Sequence, residues 1–423
     1  MRFKLMHAAD LHLDSPLRGL ERYPGAPADK IRGATRRAFQ ELVNVCREEE
    51  VRVLLLAGDL FDGDWQDYSS GLFFVAELAR LREAGVQVVW IRGNHDAESR
   101  IRKRLSLPDN VKELGVRRPE TFAIEELNLA IHGQGYATPD VRDDIAARYP
   151  RPVSGALNVG LLHTALSGRP GHEPYAPCRV EALIDRGYDY WALGHVHQRE
   201  IVARSPWIIF PGNLQGRHAR ETGAKGATVV TVEDGRIVDV EARALDVVRW
   251  DTIELDVTRA RSVSDALDLL RAGLEPALKG AEGRVLSARV RLVGVSEAHA
   301  VLARDRGHFI EEVRAAMLEL AGDEMWLERL ELATSPVIDL AALRLRDDPV
   351  GQLAGALFRL RDDPEGLLAL SAELDELKAK LPHELAEGPE PLDLGPTTVR
   401  ALLDDVERLL LSRLGGPTAE DGP

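Results

Sequence analysis

The sequence is poor in cysteine and in long apolar runs, and it has fewer basic than acidic residues. Its only cysteines, Cys46 and Cys178, are too few for a disulfide framework and lack the spacing of a zinc knuckle. Nothing approaches the roughly 18 consecutive apolar residues of a membrane span. Polar and acidic residues appear by Asp10 and leave no room for the apolar core of a signal peptide. We therefore expect a cytoplasmic protein without a membrane partner.

The charge balance is acidic, with 54 Lys and Arg against 69 Asp and Glu and a formal net charge of -15. Such a charge repels a polyanion at long range, so nucleic-acid binding would require local cationic patches or bound metal ions. Hydrophobic residues make up 44% and charged residues 29%, which is the balance of a soluble globular protein. At 423 residues we expect one catalytic domain of about 250 residues and a smaller appendage.

Short apolar runs alternate with amphipathic runs over the first two hundred residues, which predicts a layered α/β domain. The predicted strands are residues 3–8, 51–56, 87–91, 129–132, 157–162 and 188–193, and the predicted helices are 29–49 and 66–83. Residues 207–241 are rich in strand patterns separated by turns that contain glycine.

A second unit begins near Arg249, where strand and helix patterns alternate and predict a small α+β cap domain. Its predicted strands are 250–257, 284–295 and 325–332, and its predicted helices are 262–278 and 296–320. The following residues are helical and acidic, with predicted helices at 350–381 and 397–414. We thus predict domains at 1–248 and 249–340, a helical region at 341–414 and a disordered tail at 415–423.

Five of the predicted strands run into residues of the types that bind metal ions. These segments are Asp10-Leu11-His12, Gly58-Asp59-Leu60-Phe61-Asp62, Gly93-Asn94-His95-Asp96, His163 and Gly194-His195-Val196-His197. In open α/β sheets, ligands gather beyond the carboxyl ends of the strands, and residues two apart point the same way. We therefore expect the metal-binding side chains to meet around a pair of cations at one edge of the sheet.

The predicted ligands combine carboxylate oxygen and imidazole nitrogen without thiolate, which suits manganese, iron or zinc. We predict Asp10, His12 and His197 at one ion, Asn94, His163 and His195 at the other, and Asp59 as the bridge. Two divalent ions and two carboxylates leave a surplus of about two positive charges, which can hold a phosphodiester. Gly58, Gly93 and Gly194 are expected to let the backbone turn sharply beside these ligands.

His95 is not needed as a ligand, because Asn94 in the same turn already supplies one. It is free to donate a proton to the leaving oxygen or to stabilise charge on the phosphoryl group. Asp62 and Asp96 are candidates to orient the imidazole and raise its pKa. For Asp96 the alternative is a cap on the next helix, which is the common role of an Asp after a turn. Any one of these segments alone would more often be structural, but five in order favour a site.

The five motifs resemble the signature of the calcineurin-like metallophosphoesterases. HAADLHLDSPL, AGDLFD and RGNHD are most similar to the SbcD and YhaO branch of DNA repair exonucleases. Over about residues 1–245 the resemblance implies a four-layered α/β/β/α sandwich, two Mn²⁺ ions and cleavage of DNA. It also implies a cap domain, a homodimer and a C-terminal helical region that docks the coiled coil of an SMC-like ATPase.

Two further segments are candidates for DNA contact. Arg102 and Arg104 would lie near the rim, with a solvated helix face as an equal alternative. Arg217 and His218 follow a later strand and could approach the scissile phosphate. An amphipathic helix such as 397–414 more often packs on its own protein than on a partner. His7 and His132 are expected to be structural.

These patterns favour a metal-dependent DNA exonuclease that acts at DNA ends together with an ATPase subunit. One alternative is a small-molecule phosphodiesterase or phosphatase, since the same metal pair hydrolyses both kinds of ester. The other is a scaffold that only bridges DNA and an ATPase, which the complete ligand set disfavours. Residues 249–414 favour a macromolecular substrate or partner.

Overall fold

Two six-stranded sheets occupy the first part of the chain. The computed structural model describes residues 1–15, 33–62, 68–98, 106–168, 173–337, 340–378 and 395–414. The first sheet contains β1 (Arg2–Ala8), β2 (Val51–Leu56), β3 (Gln87–Trp90), β4 (Val111–Glu113), β11 (Gly226–Glu233) and β12 (Arg236–Ala244), in the order β12-β11-β1-β2-β3-β4. Strands β1 to β4 are parallel, so their carboxyl ends share one edge, while β11 and β12 pair antiparallel.

The second sheet has the same layout, with a parallel centre and antiparallel edges. It contains β5 (Glu120–Ile124), β6 (Leu129–Gly133), β7 (Leu157–His163), β8 (Tyr190–Gly194), β9 (Glu200–Arg204) and β10 (Trp207–Phe210), in the order β5-β6-β7-β8-β10-β9. Strands β6, β7, β8 and β10 are parallel, and β5 and β9 close the edges antiparallel. Strands β4, β5 and β9 were not predicted, because their residues are half-buried or exposed and do not form continuous apolar runs.

Alternating side chains in the strands separate the layers of this sandwich. Leu5 and Val53 of the first sheet pack with Val159 and Tyr190 of the second. Their neighbours on the opposite face, such as Met6, pack under the helices α1 (Ala34–Glu48) and α2 (Tyr68–Glu83). On the outer face of the second sheet, Trp191 and Phe210 pack with Leu183 of α4 (Val180–Asp185), which follows the short helix α3 (Asn94–Glu98). The predicted four-layered α/β/β/α sandwich is therefore confirmed.

A three-stranded sheet with helices follows the sandwich. Its elements are β13 (Val248–Asp256), α5 (Val263–Gly280), β14 (Val285–Ser296), α6 (His299–Arg304), α7 (Arg306–Ala321) and β15 (Met325–Pro336), with strand order β13-β14-β15. The single helix predicted at 296–320 is wrong, because Asp305 leaves the helical conformation (φ −130°, ψ 73°) and divides it in two.

The last described elements are helices. They are α8 (Leu340–Arg344), α9 (Pro349–Leu360), α10 (Pro364–Lys378) and α11 (Pro396–Leu414). The single helix predicted at 350–381 is wrong, since a proline, which lacks the N–H that a helix interior needs, starts a new helix at Pro364. Val399 and Leu403 of α11 are buried against Leu357 and Leu367, so α11 packs on its own chain.

The chain divides into two compact units whose borders interleave. One consists of Met1–Thr252, Ala277–Arg289 and Ala321–Glu328, and the other of Ile253–Pro276, Val290–Leu320 and the described part of Arg329–Pro423. The predicted domain borders at 248 and 340 stay predictions, and the predicted tail lies outside the described residues. Among the helices that the structure describes, none is both long and apolar enough to cross a membrane.

Close packing between strands predicts a measurable cost at Gly160 of β7. A Cβ atom at this position would lie 2.3 Å from Cε3 of the buried Trp191. We expect Gly160→Ala to lower the free energy of unfolding by about 1 to 3 kcal/mol, the usual cost of overpacking. Gly280→Ala is the matched control, because its Cβ would meet nothing within 4 Å. Equal urea unfolding midpoints for the two variants would contradict this packing.

Candidate metal centre

The seven predicted metal ligands come from both sheets rather than from one. Asp10, Asp59 and Asn94 follow β1, β2 and β3 of the first sheet, while His163 ends β7 of the second. His195 and His197 follow β8, also of the second sheet. The expectation of a single sheet edge is thus corrected, since the carboxyl ends of two packed sheets supply the ligands.

Among the seven predicted ligands, Asp10, His12 and His197 form the first of two groups, with ligand atoms within 4.8 Å of one another. A third group of this kind contains His12, Asp62 and His95. The Nε2 atoms of His12 and His197 are 3.3 Å apart, and Nε2 of His197 lies 3.9 Å from Oδ1 of Asp10. The Asp10 carboxylate also accepts hydrogen bonds from the backbone N–H of His195 at 3.1 and 3.0 Å. This contact ties the loop after β8 to the loop after β1.

Asp59, His163 and His195 form the second group, also within 4.8 Å. Nε2 of His163 lies 3.4 Å from Oδ2 of Asp59 and 3.0 Å from Oδ1 of Asn94. The other ring nitrogen of His163 lies 2.8 Å from the carbonyl oxygen of Ala57, a contact in which Nδ1 donates. Burial lowers the pKa of His163, but the hydrogen bond and charge of Asp59 and the charge of Asp10 raise it to about 9, so Nε2 also carries a proton toward these two oxygens. Metal binding at Nε2 would displace that proton.

Asp59 connects the two groups through one oxygen atom. Its Oδ2 lies 4.0 Å from Nε2 of His12 in the first group and 3.4 Å from Nε2 of His163 in the second. The arrangement suits a carboxylate that bridges two cations, which is the predicted role of Asp59.

The chemistry of these side chains fits divalent cations. Asp10 and Asp59 are only 1% and 2% exposed, and buried carboxylates require positive charge or hydrogen-bond donors nearby. Burial and the charge of Arg217 lower the pKa of His12 to about 3, so this imidazole is neutral, as metal binding requires. Oxygen and imidazole donors without thiolate match manganese, iron or zinc. Which of these side chains bind metal stays a prediction.

Four of the predicted ligands have left-handed backbone conformations that residues other than glycine rarely adopt. The φ angles are 52° at Asp10, 41° at His12, 54° at Asp59 and 100° at His195. Such conformations cost on the order of 1 kcal/mol or more each and concentrate at functional sites. Hydrogen bonds from the N–H of Asp10 to Gly58 O and from that of His12 to Asp59 O, both 3.0 Å long, hold two of these loops together.

Asp96 does not orient the His95 ring, so this part of the prediction is corrected. Its buried carboxylate accepts hydrogen bonds from three backbone amides, those of Leu60, Phe61 and Gly93, at 2.9, 3.1 and 3.0 Å. Asp96 therefore holds the loop after β2 against the turn after β3, where Asp59 and Asn94 lie.

The glycines of the motifs allow neighbouring chain segments to approach closely, which matters more here than a sharp turn of the backbone. Gly58 alone of the three has a left-handed backbone, with φ 96°. A Cβ at Gly93 would lie 2.2 Å from Oδ1 of Asp59, and one at Gly194 would lie 2.0 Å from Ala57 O. The absence of a side chain at these positions is what lets the strand ends converge.

His95 and Asp62 form a pair at the partly exposed side of the site. Nδ1 of His95 lies 2.9 Å from Oδ1 of Asp62, and Oδ2 of Asp62 accepts a 2.7 Å hydrogen bond from Ser15. Burial lowers the pKa of His95, but the hydrogen bond to Asp62 and the nearby Asp59 carboxylate raise it above the ordinary value. The ring is 38% exposed and its centroid is 4.9 Å from that of His12. A protonated imidazole beside the first ligand group is placed to donate a proton.

The predicted substrate contacts have different outcomes. Arg217 joins the site, because its Nη1 lies 3.8 Å from Oδ2 of Asp62. His218 is 54% exposed, and its Nε2 lies 3.6 Å from Oε1 of Glu221. Arg102 and Arg104 lie outside the described residues.

His7 and His132 have structural surroundings, as expected. The ring nitrogens of His7 contact Tyr190 Oη and Leu193 O at 2.9 and 3.0 Å. Those of His132 contact Thr121 Oγ1 and Asn158 Oδ1 at 2.8 and 3.0 Å. Both nitrogens of each ring are thus already paired within the fold.

The sequence matches two families of known proteins. Residues 3–199 match the calcineurin-like phosphoesterases, and residues 250–335 match the middle domain of the metallophosphoesterase YhaO. The metallophosphoesterase YhaO of Bacillus subtilis (strain 168) is 35% identical over 344 residues, which cover 80% of this chain and 83% of that protein.

Two proteins named DNA double-strand break repair protein Mre11 are also similar. The one from Methanopyrus kandleri is 28% identical over 360 residues, 78% of this chain and 70% of that protein. The one from Sulfurisphaera tokodaii is 25% identical over 241 residues, 53% of this chain and 60% of that protein.

The sandwich, the paired ligand groups and these similarities define a metal-dependent phosphoesterase. The chain belongs to the calcineurin-like metallophosphoesterase family and is homologous to YhaO and to the DNA double-strand break repair proteins Mre11. Phosphoesterases of this family use a dinuclear divalent metal centre, and the two ligand groups are its candidate site here.

The bridging position of Asp59 predicts that its loss disrupts both metal sites. We expect Asp59→Asn to weaken Mn²⁺ binding by more than the roughly 10- to 100-fold that loss of an outer-shell partner costs. Calorimetric titration of metal-free protein measures this change. Asp239→Asn is the control, because Asp239 is exposed on β12. Two ions bound to Asp59→Asn with ordinary affinity would refute the bridging role.

The position of His95 predicts a loss of activity without a loss of metal. If His95 protonates the leaving oxygen, His95→Ala should slow cleavage of a phosphodiester with an alkoxide leaving group by about 10²- to 10⁴-fold. Hydrolysis of bis(p-nitrophenyl) phosphate should slow much less, because p-nitrophenolate leaves without a proton.

The control for this variant is His308→Ala, because His308 is 71% exposed. Equal losses on both esters with Mn²⁺ binding intact would assign His95 to charge stabilisation instead. Unchanged cleavage of both esters would remove its catalytic role.

Proposed function

We propose that this phosphoesterase is a DNA exonuclease that works at DNA ends with Mn²⁺ as the preferred ion. The observation that carries the proposal is the extent of the likeness to a DNA double-strand break repair protein. The sandwich ends at Ala244, yet the likeness covers 78% of the chain and therefore continues into the appended elements. A site for small esters alone would not require that continuation.

Phosphodiester cleavage at this site would use a separate role for each residue. Bound divalent ions supply positive charge that stabilises the charge developing on the phosphoryl oxygens. His95 donates a proton to the departing oxygen, and Asp62 holds its ring in position. Arg217 is a permanent cation with an 18% exposed side chain 3.8 Å from Asp62. We assign it to a non-bridging phosphate oxygen of the substrate. These local cations answer the objection that a net charge of -15 repels DNA.

We also propose an SMC-like coiled-coil ATPase as partner of the C-terminal helices. Val399 and Leu403 of α11 are buried within its own unit, whereas Leu402 and Val406 are 43% and 39% exposed. These two residues are four positions apart and therefore lie on one face of the helix. Leu368 of α10 is 64% exposed, which adds apolar surface for a partner helix. Homodimer formation and a cytoplasmic location accompany this proposal.

Small-molecule phosphodiesterase or phosphatase activity is the main alternative, because the same site hydrolyses both kinds of ester. A scaffold that only bridges DNA and an ATPase is disfavoured, since all seven predicted ligand side chains are present.

The decisive assay compares end-labelled duplex DNA with bis(p-nitrophenyl) phosphate in the same buffer. We expect Mn²⁺ to support progressive shortening of DNA from its ends, and Asp59→Asn to abolish it. Hydrolysis of the small ester with DNA left intact under Mn²⁺, Mg²⁺, Zn²⁺ and Fe²⁺ would contradict the nuclease proposal. Failure on both substrates, with metal bound, would support the scaffold.

A further inference from the structure

Glu221 is a buried carboxylate outside the five motifs. It contacts the predicted ligand His197 at the ring nitrogen that does not face the first ligand group. It is 8% exposed and follows β10 by eleven positions. Its Oε1 lies 2.7 Å from Nδ1 of His197. Its Oε2 accepts hydrogen bonds from Nδ2 of Asn213 at 2.8 Å and from the backbone N–H of Arg217 at 2.7 Å. Both oxygens are thus engaged by donors.

The contact with His197 determines which ring nitrogen faces the ligand group. An ionised carboxylate only accepts, so the 2.7 Å contact places the proton on Nδ1 of His197. The lone pair of the ring is then on Nε2, which lies 3.3 Å from Nε2 of His12 and 3.9 Å from Oδ1 of Asp10. The ammonium group of Lys225 donates a 2.9 Å hydrogen bond to the carbonyl oxygen of His197, which holds the backbone of the same residue.

Glu221 also holds Arg217 beside the His95 and Asp62 pair. The guanidinium Nη2 lies 3.6 Å from Oε1 of Glu221, and Nη1 lies 3.4 Å from Ser15 Oγ. The 3.4 Å approach of Nη2 to Nδ1 of His197 is not a hydrogen bond, because both atoms carry protons in this arrangement. One carboxylate therefore fixes a predicted ligand of the first group and a predicted substrate contact.

We propose that Glu221 is a positioning residue that presents Nε2 of His197 to a metal ion and Arg217 to the substrate. The inference rests on the phosphoesterase activity of the family and on the predicted ligand role of His197. It does not depend on DNA being the substrate.

The test is a double-mutant cycle on Mn²⁺ affinity, measured by calorimetry on metal-free protein. Glu221→Gln makes the side chain neutral. Its amide NH₂ group, itself a donor, then faces the N–H donors of Asn213 or Arg217 and cannot accept their hydrogen bonds. We expect Mn²⁺ affinity to fall by about 10- to 100-fold, the usual effect of losing a partner behind a ligating histidine. Glu181→Gln, at an exposed position of α4, should bind as wild type.

The second arm uses His197→Ala, which removes the side chain through which Glu221 is proposed to act. Glu221→Gln should then cause no further loss of affinity, since the two effects share one path. The same fold-loss in the His197→Ala background would overturn the proposal and leave Glu221 a structural residue. Wild-type affinity of Glu221→Gln would overturn it as well.

The third arm addresses Arg217 and keeps the test valid if Glu221→Gln is unstable. At saturating Mn²⁺, Glu221→Asp, which keeps the charge but shortens the reach, should raise KM for bis(p-nitrophenyl) phosphate several-fold with a smaller change in kcat. A wild-type KM together with wild-type Mn²⁺ affinity in Glu221→Asp would contradict the positioning role. All variants are compared below the melting temperature of their metal-free forms.

Discussion

The central constraint on this protein is the burial of two carboxylates, Asp10 and Asp59, where the strand ends of two packed sheets converge. Neither side chain is more than 2% exposed, and burial raises the pKa of Asp10 despite the nearby imidazoles. The charge of Asp59 contributes to that rise, and positive charge between two buried carboxylates relieves their repulsion. A pair of divalent cations supplies that charge, and the imidazoles of His12, His163 and His197 face the same space.

Supporting carboxylates hold this arrangement in place, and each acts on a different part of it. Asp96 accepts hydrogen bonds from the backbone of two loops, Asp62 holds the His95 ring, and Glu221 holds the His197 ring. Backbone hydrogen bonds from Asp10 to Gly58 and from His12 to Asp59 support the left-handed backbone at Asp10, His12 and Asp59.

Much of the sandwich could be predicted from the sequence, because buried parallel strands read as short apolar runs that end at ligand residues. The parts that could not be predicted depend on contacts between distant residues. Nothing in the local pattern shows that Asp96 faces backbone amides, or that Glu221 meets a histidine 24 positions earlier. The contribution of a second sheet was likewise invisible to residue spacing. Pro364, by contrast, could have been identified from the sequence as the start of a helix. The continuous pattern of apolar residues across it predicted a single helix instead.

The most direct test of the dinuclear centre is the anomalous diffraction of crystals soaked with Mn²⁺. The account predicts two anomalous peaks about 3.5 to 4 Å apart, with the Asp59 carboxylate in contact with both. One peak would lie beside Asp10, His12 and His197, and the other beside Asn94, His163 and His195. A single peak, or two peaks with Asp59 bound to neither, would contradict the account.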